Sequence, residues 1–193
     1  MKKEGINETF NQILTKIASG VNYASELAKE IGKSIPVTFR QLDELISLGI
    51  LKKERFGKKV EYNLEWKAIA SSFLNLIKKE FSNAKDTLNA KTPSLELKEF
   101  EEIFEIKYLQ NSFKKMYQEI ENAGKISCNY AKTKFNESLS IFLEAFGEIT
   151  ESQEKEILKK ISKKEQKSFK KFIEISRLHK KIQDKINPRK KIF

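Results

Sequence analysis

The 193-residue sequence has little of what many enzymes and secreted proteins use: one cysteine, one histidine, three prolines and seven glycines. The single cysteine, Cys128, excludes an intramolecular disulfide and a cysteine-based zinc cluster. No stretch approaches the roughly eighteen consecutive apolar residues of a membrane-spanning helix, and the first residues lack the apolar run of a secretory signal. We therefore expect a cytoplasmic protein without a transmembrane segment.

Residue patterns that carry catalysis are also scarce. With a single histidine, His179, most familiar catalytic constellations cannot be assembled, and its lysine-rich helical surroundings predict a surface or interface side chain. Gly32-Lys33-Ser34 is similar to the end of a phosphate-binding loop, but Leu27 stands where the first glycine of such a loop is needed. We predict no enzyme activity, no cofactor and no metal; an enzyme whose site leaves no sequence pattern stays open.

Positive charge is concentrated toward one end of the sequence. Lys and Arg number 38 against 27 Asp and Glu, for a net charge of +11. Residues 1–65 hold 11 basic and 9 acidic residues, 66–150 hold 12 of each, and 151–193 hold 15 and 6. A basic segment attracts polyanions or anionic membranes. Three interpretations of 151–193 stay open: an assembly helix whose lysines face water, extra DNA phosphate contacts, and an interfacial helix on anionic lipid.

Residues 1–65 carry the clearest order of elements. Apolar residues at helical spacing predict helices over about 7–18 and 23–32, and a third that Ser34 caps, with Pro36 in its first turn and a stop at Gly49. Extended runs at 50–55 and 60–64 then flank a hairpin tip at 56–59. Two helices, a tight turn, a third helix and a basic hairpin form the order of a winged helix-turn-helix.

Four stretches of this segment resemble a known superfamily: 25–32, 34–42, 45–51 and 55–62. In order they resemble the helix pair and wing of bacterial and archaeal winged-helix regulators of the ArsR and MarR type. The resemblance covers about a third of the chain and implies a DNA-binding transcriptional regulator. The cysteine pair of metal-sensing ArsR proteins is missing where this sequence reads Ser25-Glu26-Leu27, so metal sensing is not implied. Residue usage rich in Lys, Ile and Asn suggests an AT-rich genome, archaeal or of a mobile element.

The third helix and the wing are the predicted DNA-binding site. If Thr38 and Leu42 face the core, Phe39, Arg40 and Gln41 face outward, where they can meet thymine, guanine and adenine in the major groove. The helix start suits a phosphate, and the wing suits the backbone or the minor groove. The alternative is that Phe39 packs beneath the wing. The residues predicted to bind DNA are Lys33, Ser34, Ile35, Thr38, Phe39, Arg40, Gln41, Arg55, Lys58 and Lys59.

Beyond residue 65 the pattern is helical to the end. An apolar stripe that begins at Trp66 is similar to the dimer-interface helix of related regulators; the alternative is a helix folded onto its own domain. The residues predicted for dimerisation are Trp66, Ile69, Phe73 and Ile77. Thr92-Pro93-Ser94 predicts a linker and the start of the next helix. Later aromatic stripes favour a packed core, with an effector site as the open alternative. The rings that would line that site are Phe100, Phe104, Phe113, Phe142 and Phe146.

These patterns together predict a mainly α fold with a small β-hairpin wing. The predicted divisions are a winged helix-turn-helix DNA-binding domain at 1–65, a linking and dimerisation helix at 66–92, and a helical C-terminal domain at 93–193, basic from 151. The predicted function is sequence-specific transcription regulation by a nucleoid-associated homodimer on double-stranded DNA, reading the major groove with 34–48 and contacting backbone or minor groove with 55–60. A small-molecule or protein effector of the C-terminal half stays open. The alternative function is an architectural or protein-interaction module for replication, segregation or chromatin-type assembly, with little sequence specificity.

Overall fold

The structure, a computed structural model, describes residues 4–88, 96–122 and 131–186, and describes side chains over 9–82, 96–120 and 137–185. The described chain is mostly helical with one small antiparallel sheet, as the sequence predicts. Its helices are α1 (Glu4–Ala18), α2 (Ala24–Glu30), α3 (Ile35–Ser47), α4 (Trp66–Leu88), α5 (Leu97–Glu105), α6 (Lys107–Asn122), α7 (Ala131–Gly147), α8 (Glu151–Lys160) and α9 (Lys163–Ile186). The strands are β1 (Leu51–Phe56) and β2 (Lys59–Leu64). Within the described ranges, no helix is both long and apolar enough to cross a membrane.

The chain divides into two compact units that interleave in sequence. One unit combines Met1–Ile69 with Asn111–Ser138, and the other combines Ala70–Gln110 with Leu139–Phe193. The predicted domains are consecutive instead, and their boundaries at 65 and 92 stay predictions. The predicted break at 92–94 lies outside the described residues, as do Cys128 and the basic residues at 189–191. The described start of α5 has Glu96 as its N-cap, in a capping box with Glu99.

The first unit buries one apolar face of each short helix. Residues recurring every three or four positions of α1 are at most 3% exposed, as their spacing predicts. The segment before α2 attaches to the hairpin: Tyr23 forms an isolated antiparallel bridge with Glu61, and the Tyr62 amide donates to the Asn22 carbonyl at 2.9 Å. The edge of β2 is therefore joined to the start of α2.

The β1–β2 hairpin is tighter than the sequence predicts. Its register runs from Leu51 opposite Leu64 to Phe56 opposite Lys59, so only Gly57 and Lys58 form the turn. Gly57 adopts φ +63°, a conformation that two-residue hairpin turns favour and that glycine reaches at low cost. Phe56 and Lys59, the outer residues of the predicted four-residue tip, therefore belong to the strands.

An aromatic core holds the second unit together. The Phe73 ring centroid lies 5.8 Å from that of Phe100, 5.1 Å from Phe104 and 6.5 Å from Phe172. Phe142 and Phe146 stack edge to face at 4.8 Å and both contact Phe172. These rings pack against one another and form the core that the aromatic stripes favour.

The apolar stripe of α4 is covered by its own chain. Ile69 is 2% exposed, Phe73 and Ile77 are 0% exposed, and Trp66 is half-buried with its ring edge-on to Phe113 at 6.1 Å. Because the contacts that bury these residues lie within the same chain, no second copy is needed to cover them, and their predicted role in dimerisation stays a prediction. The alternative, a helix packed on its own chain, is what is observed.

Candidate nucleic-acid interface

Helix α3 separates the predicted DNA-binding residues into two groups. Ile35 is 48% exposed, Phe39 is 44% exposed and Arg40 is exposed, as predicted. Thr38 is 0% exposed and Gln41 is 2% exposed, so neither side chain faces a partner. The predicted outward orientation of Gln41 is wrong. A helix buries positions i, i+3, i+4 and i+7 together, and the buried set Thr38, Gln41, Leu42 and Leu45 has that spacing.

The start of α3 leaves polar groups available. Ser34 is the N-cap residue, as predicted, but its hydroxyl makes no capping hydrogen bond. Instead the Ser34 carbonyl accepts from the Thr38 amide at 3.0 Å and from the Thr38 hydroxyl at 3.1 Å. Thr38 therefore fixes the first turn from inside, while Ser34 and Lys33 remain exposed beside it.

The hairpin presents an aromatic ring among cations. Arg55, Lys58 and Lys59 are exposed, as their predicted role requires, and Phe56 is the most exposed of the large apolar side chains among the described residues, at 59%. Sequence reasoning placed Phe56 at the hairpin tip without giving it a role. The available signal was an aromatic residue between Arg55 and the Gly57-Lys58 turn, where a polar residue is usual.

The acidic groups of the hairpin are engaged locally. Glu54 accepts from Lys52 at 2.9 Å, which holds the pKa of that carboxyl below its ordinary value. The Tyr23 hydroxyl donates to Glu61 at 2.6 Å, and this hydrogen bond raises the pKa of Tyr23, which keeps the phenol protonated. The hairpin carboxylates are thereby occupied within the hairpin and its neighbouring loop.

Several cations of this face have no ion partner among the described residues. They are Lys33, Arg40, Arg55, Lys58 and Lys59. The Arg55 Nε donates to the Gly57 carbonyl at 3.2 Å, and the Lys59 ammonium sits 5.5 Å from the Tyr23 ring centroid. Exposed cations without ion partners attract an anionic partner.

A cleft of about 570 Å³ lies between the starts of α2 and α3 and the hairpin. Four of its lining residues belong to the predicted site: Ile35, Phe39, Lys58 and Lys59. Tyr23, Glu26 and Tyr62 complete much of its wall. The cleft therefore joins helix and wing residues that are distant in sequence, whereas Lys33, Ser34, Arg40 and Arg55 lie outside its lining.

The single histidine is buried, contrary to its predicted surface or interface position. His179 is 0% exposed; its Nδ1 lies 2.6 Å from Glu80 Oε2 and its Nε2 lies 3.3 Å from Ser140 Oγ. These are the residue types of a serine-nucleophile triad. A triad, however, needs a histidine that can exchange protons with a bound substrate, and this imidazole is enclosed by helices α4, α7 and α9. We interpret the cluster as a polar contact within the second unit.

No protein-family model, curated protein or solved structure matches the chain. Among the residues whose side chains are described, no three His, Cys, Asp or Glu side chains come together as a metal site would require. The candidate interface is therefore defined by its own geometry: exposed apolar side chains and unpaired cations on α3 and the hairpin. We name this set the α3–wing surface: Lys33, Ser34, Ile35, Phe39, Arg40, Arg55, Phe56, Lys58 and Lys59.

Proposed function

We propose that this protein is a transcriptional regulator that binds double-stranded DNA in a sequence-specific manner through the α3–wing surface. One observation carries the proposal: among the described residues, every exposed large apolar side chain except Leu97 lies between residues 35 and 56, interspersed with cations that lack ion partners. Water-exposed apolar groups are unfavourable on a free surface but can cover thymine methyl groups. The adjacent cations suit phosphates.

The arrangement of elements supports a winged helix-turn-helix. Helix α2 is followed by a four-residue connection, then by α3 and by an antiparallel hairpin whose β2 edge bridges back to Tyr23. In such a domain the second helix of the motif enters the major groove, and the hairpin contacts the adjacent backbone or minor groove. The exposed face of α3 and the cations of the hairpin are then the parts that meet DNA.

Base recognition is assigned to three exposed residues of α3. The Arg40 guanidinium is free to make a bidentate contact with guanine O6 and N7, the commonest specific contact in the major groove. Ile35 and Phe39 are assigned to thymine methyl groups because both are exposed. Thr38 and Gln41 are not assigned to base contact because both are buried.

Backbone contacts are assigned to the polar groups around this face. Lys33 and the unused Ser34 hydroxyl border the positive end of the α3 dipole, where a phosphate oxygen is favoured. Arg55, Lys58 and Lys59 supply the corresponding contacts from the hairpin. These contacts position the protein without reading sequence, and they make affinity depend on salt.

Selection from randomised duplex DNA at about 150 mM salt tests this function, since nonspecific binding is weak there. We expect enrichment of a defined sequence containing guanine beside thymines. An inverted repeat would indicate that two copies bind, as the predicted homodimer requires. Binding without enrichment would favour the architectural alternative, and the absence of binding would contradict the proposal.

Arg40→Ala is the sharpest variant of this surface. We expect it to weaken binding to the selected sequence by about 1–3 kcal/mol and to relax the preference for guanine at one position. Thermal stability should not change, because the Arg40 side chain is exposed and has no ion partner among the described residues. Competition binding against single-base variants of the selected duplex measures both effects. Lys79→Ala, at an exposed position of α4, is the matched control; an equal loss in both variants would contradict the assignment.

A further inference from the structure

Phe56 is an aromatic side chain at the end of a hairpin with nothing packed over most of it. It is 59% exposed, more than Ile35 or Phe39, and it does not line the cleft beside α3. The hairpin core is formed by Leu51, Tyr62 and Leu64, which are at most 4% exposed. Most of the Phe56 side chain therefore lies outside the folded core and is available to a partner.

Phe56 is the last residue of β1 and lies directly before the hairpin turn. Phe56 and Lys59 are the last pair in the register, and only Gly57 and Lys58 follow before the chain reverses. The Arg55 Nε donates to the Gly57 carbonyl at 3.2 Å, which keeps that side chain against the tip. The ring thus has a cation on each side along the chain, and both Arg55 and Lys58 are exposed.

We infer that Phe56 inserts as an apolar wedge between two base pairs in the minor groove of bound DNA, and that the DNA bends there. This inference rests on the proposed function, and it adds a deformation of the DNA that base contacts from α3 alone do not require. Apolar side chains that enter the minor groove unstack a base step and kink the duplex. Flanking cations can bind the phosphates that border the minor groove.

Charge on the hairpin favours DNA over an apolar protein surface as the occupant. The nearby carboxylates of Glu54 and Glu61 are each engaged, by Lys52 and by Tyr23. An exposed apolar side chain with the exposed cations Arg55 and Lys58 close to it in sequence is complementary to stacked bases lined by phosphates. The wedge also predicts a preference for easily unstacked steps, TA or CA, at the position that meets the wing, because their deformation costs less.

The test measures bending and binding on the same samples. A duplex of about 20 base pairs, roughly 68 Å long at about 3.4 Å per base pair and well below the persistence length of about 150 base pairs, carries the selected sequence or, if none is enriched, a central TA step, with a dye at each end. Energy transfer between the dyes reports the bend, 2-aminopurine at the step reports unstacking, and anisotropy reports affinity. The proteins compared are the unsubstituted full chain and its variants Phe56→Ala and Phe56→Leu. Leu97→Ala, at an apolar position that is 43% exposed, is the control.

We expect the unsubstituted chain to bend the duplex by between about 20° and 90° and to raise 2-aminopurine fluorescence. Phe56→Ala should bind with affinity lower on the order of tenfold and leave the duplex nearly straight, with an unchanged melting temperature. Phe56→Leu should retain much of the bend because it remains apolar, and Leu97→Ala should match the unsubstituted chain.

Two results overturn the wedge while leaving the proposed function in place. One is tight binding to a duplex that stays straight; the other is a Phe56→Ala complex that bends and unstacks DNA as the unsubstituted chain does. If the unsubstituted chain binds no duplex, both the wedge and the proposed function fall, and the anisotropy signal identifies that case before bending is considered.

Discussion

The Gln41 side chain carries an amide yet is 2% exposed, and its Oε1 has no hydrogen-bond partner among the described residues. Chemistry alone favours such a residue as a reader of adenine, which is the role that sequence reasoning gave it. Helix geometry decides otherwise, because Gln41 lies three residues after Thr38 and one before Leu42, within the buried stripe. The exposure of Arg40 and Phe39 follows from the same geometry. At these positions the helical spacing of buried residues predicts exposure correctly, whereas residue type does not.

The Gln41→Leu variant tests whether Gln41 is a buried residue of the helix packing or a residue that contacts adenine. Replacing a buried, unsatisfied amide by an apolar side chain of similar size should leave stability unchanged or raise it by about 1 kcal/mol. Binding to the selected DNA should keep its base preferences. Urea unfolding and competition binding measure the two quantities, and Gln41→Glu, which buries a charge, should be clearly destabilised. Loss of a preference for adenine in a stably folded Gln41→Leu protein would indicate that Gln41 does contact a base.

At the scale of elements, local patterns predict where helices and strands lie but not what covers them. The start of α3 and the two strands can be placed from Ser34, Pro36 and the alternation of Val60, Tyr62 and Leu64. The stripe of α4 is equally clear in the sequence, yet its partners include Phe100, Phe104 and Phe172, far along the chain. A period of 3.6 residues indicates that one face of a helix is buried. It does not indicate whether a second copy or the same chain covers that face.

Phe73→Ala tests how the α4 stripe is buried. Because Phe73 is 0% exposed within one chain, we expect unfolding free energy to fall by about 3–5 kcal/mol. The loss should not depend on protein concentration, which a stripe buried only by dimerisation would require. Thermal melts over a wide concentration range measure this, with Leu48→Ala, at a 39% exposed apolar position, as the control. A melting temperature that rises with concentration only in the unsubstituted chain would restore the dimer interpretation.

At the scale of the molecule, positive charge and the proposed DNA surface lie in different parts of the chain. Residues 151–193 hold 15 basic and 6 acidic residues, whereas the α3–wing surface lies within 33–59. Part of that basic charge links helices of the second unit: Lys171 pairs with Glu99, Arg177 with Glu154 and Lys180 with Glu148. These pairs lie within one chain and do not distinguish the three interpretations of the basic segment, which stay predictions.

Contacts between distant residues mark the limit of what the sequence predicts. The buried cluster of Glu80, Ser140 and His179 brings together three helices, and no local pattern relates those positions. The α3–wing surface was largely predictable because its residues lie within one short run whose order of elements has few alternatives. Phe56 was missed because hairpin tips are usually polar, so an aromatic residue there has no standard role.

A nuclear magnetic resonance titration of the 22.5 kDa chain with the selected duplex tests the central claim most directly, since it locates bound DNA residue by residue. We expect the amide shifts at about 150 mM salt to concentrate at 33–40 and 55–59. Shift changes confined to 159–170, or none at any salt concentration, would contradict a DNA interface on α3 and the wing.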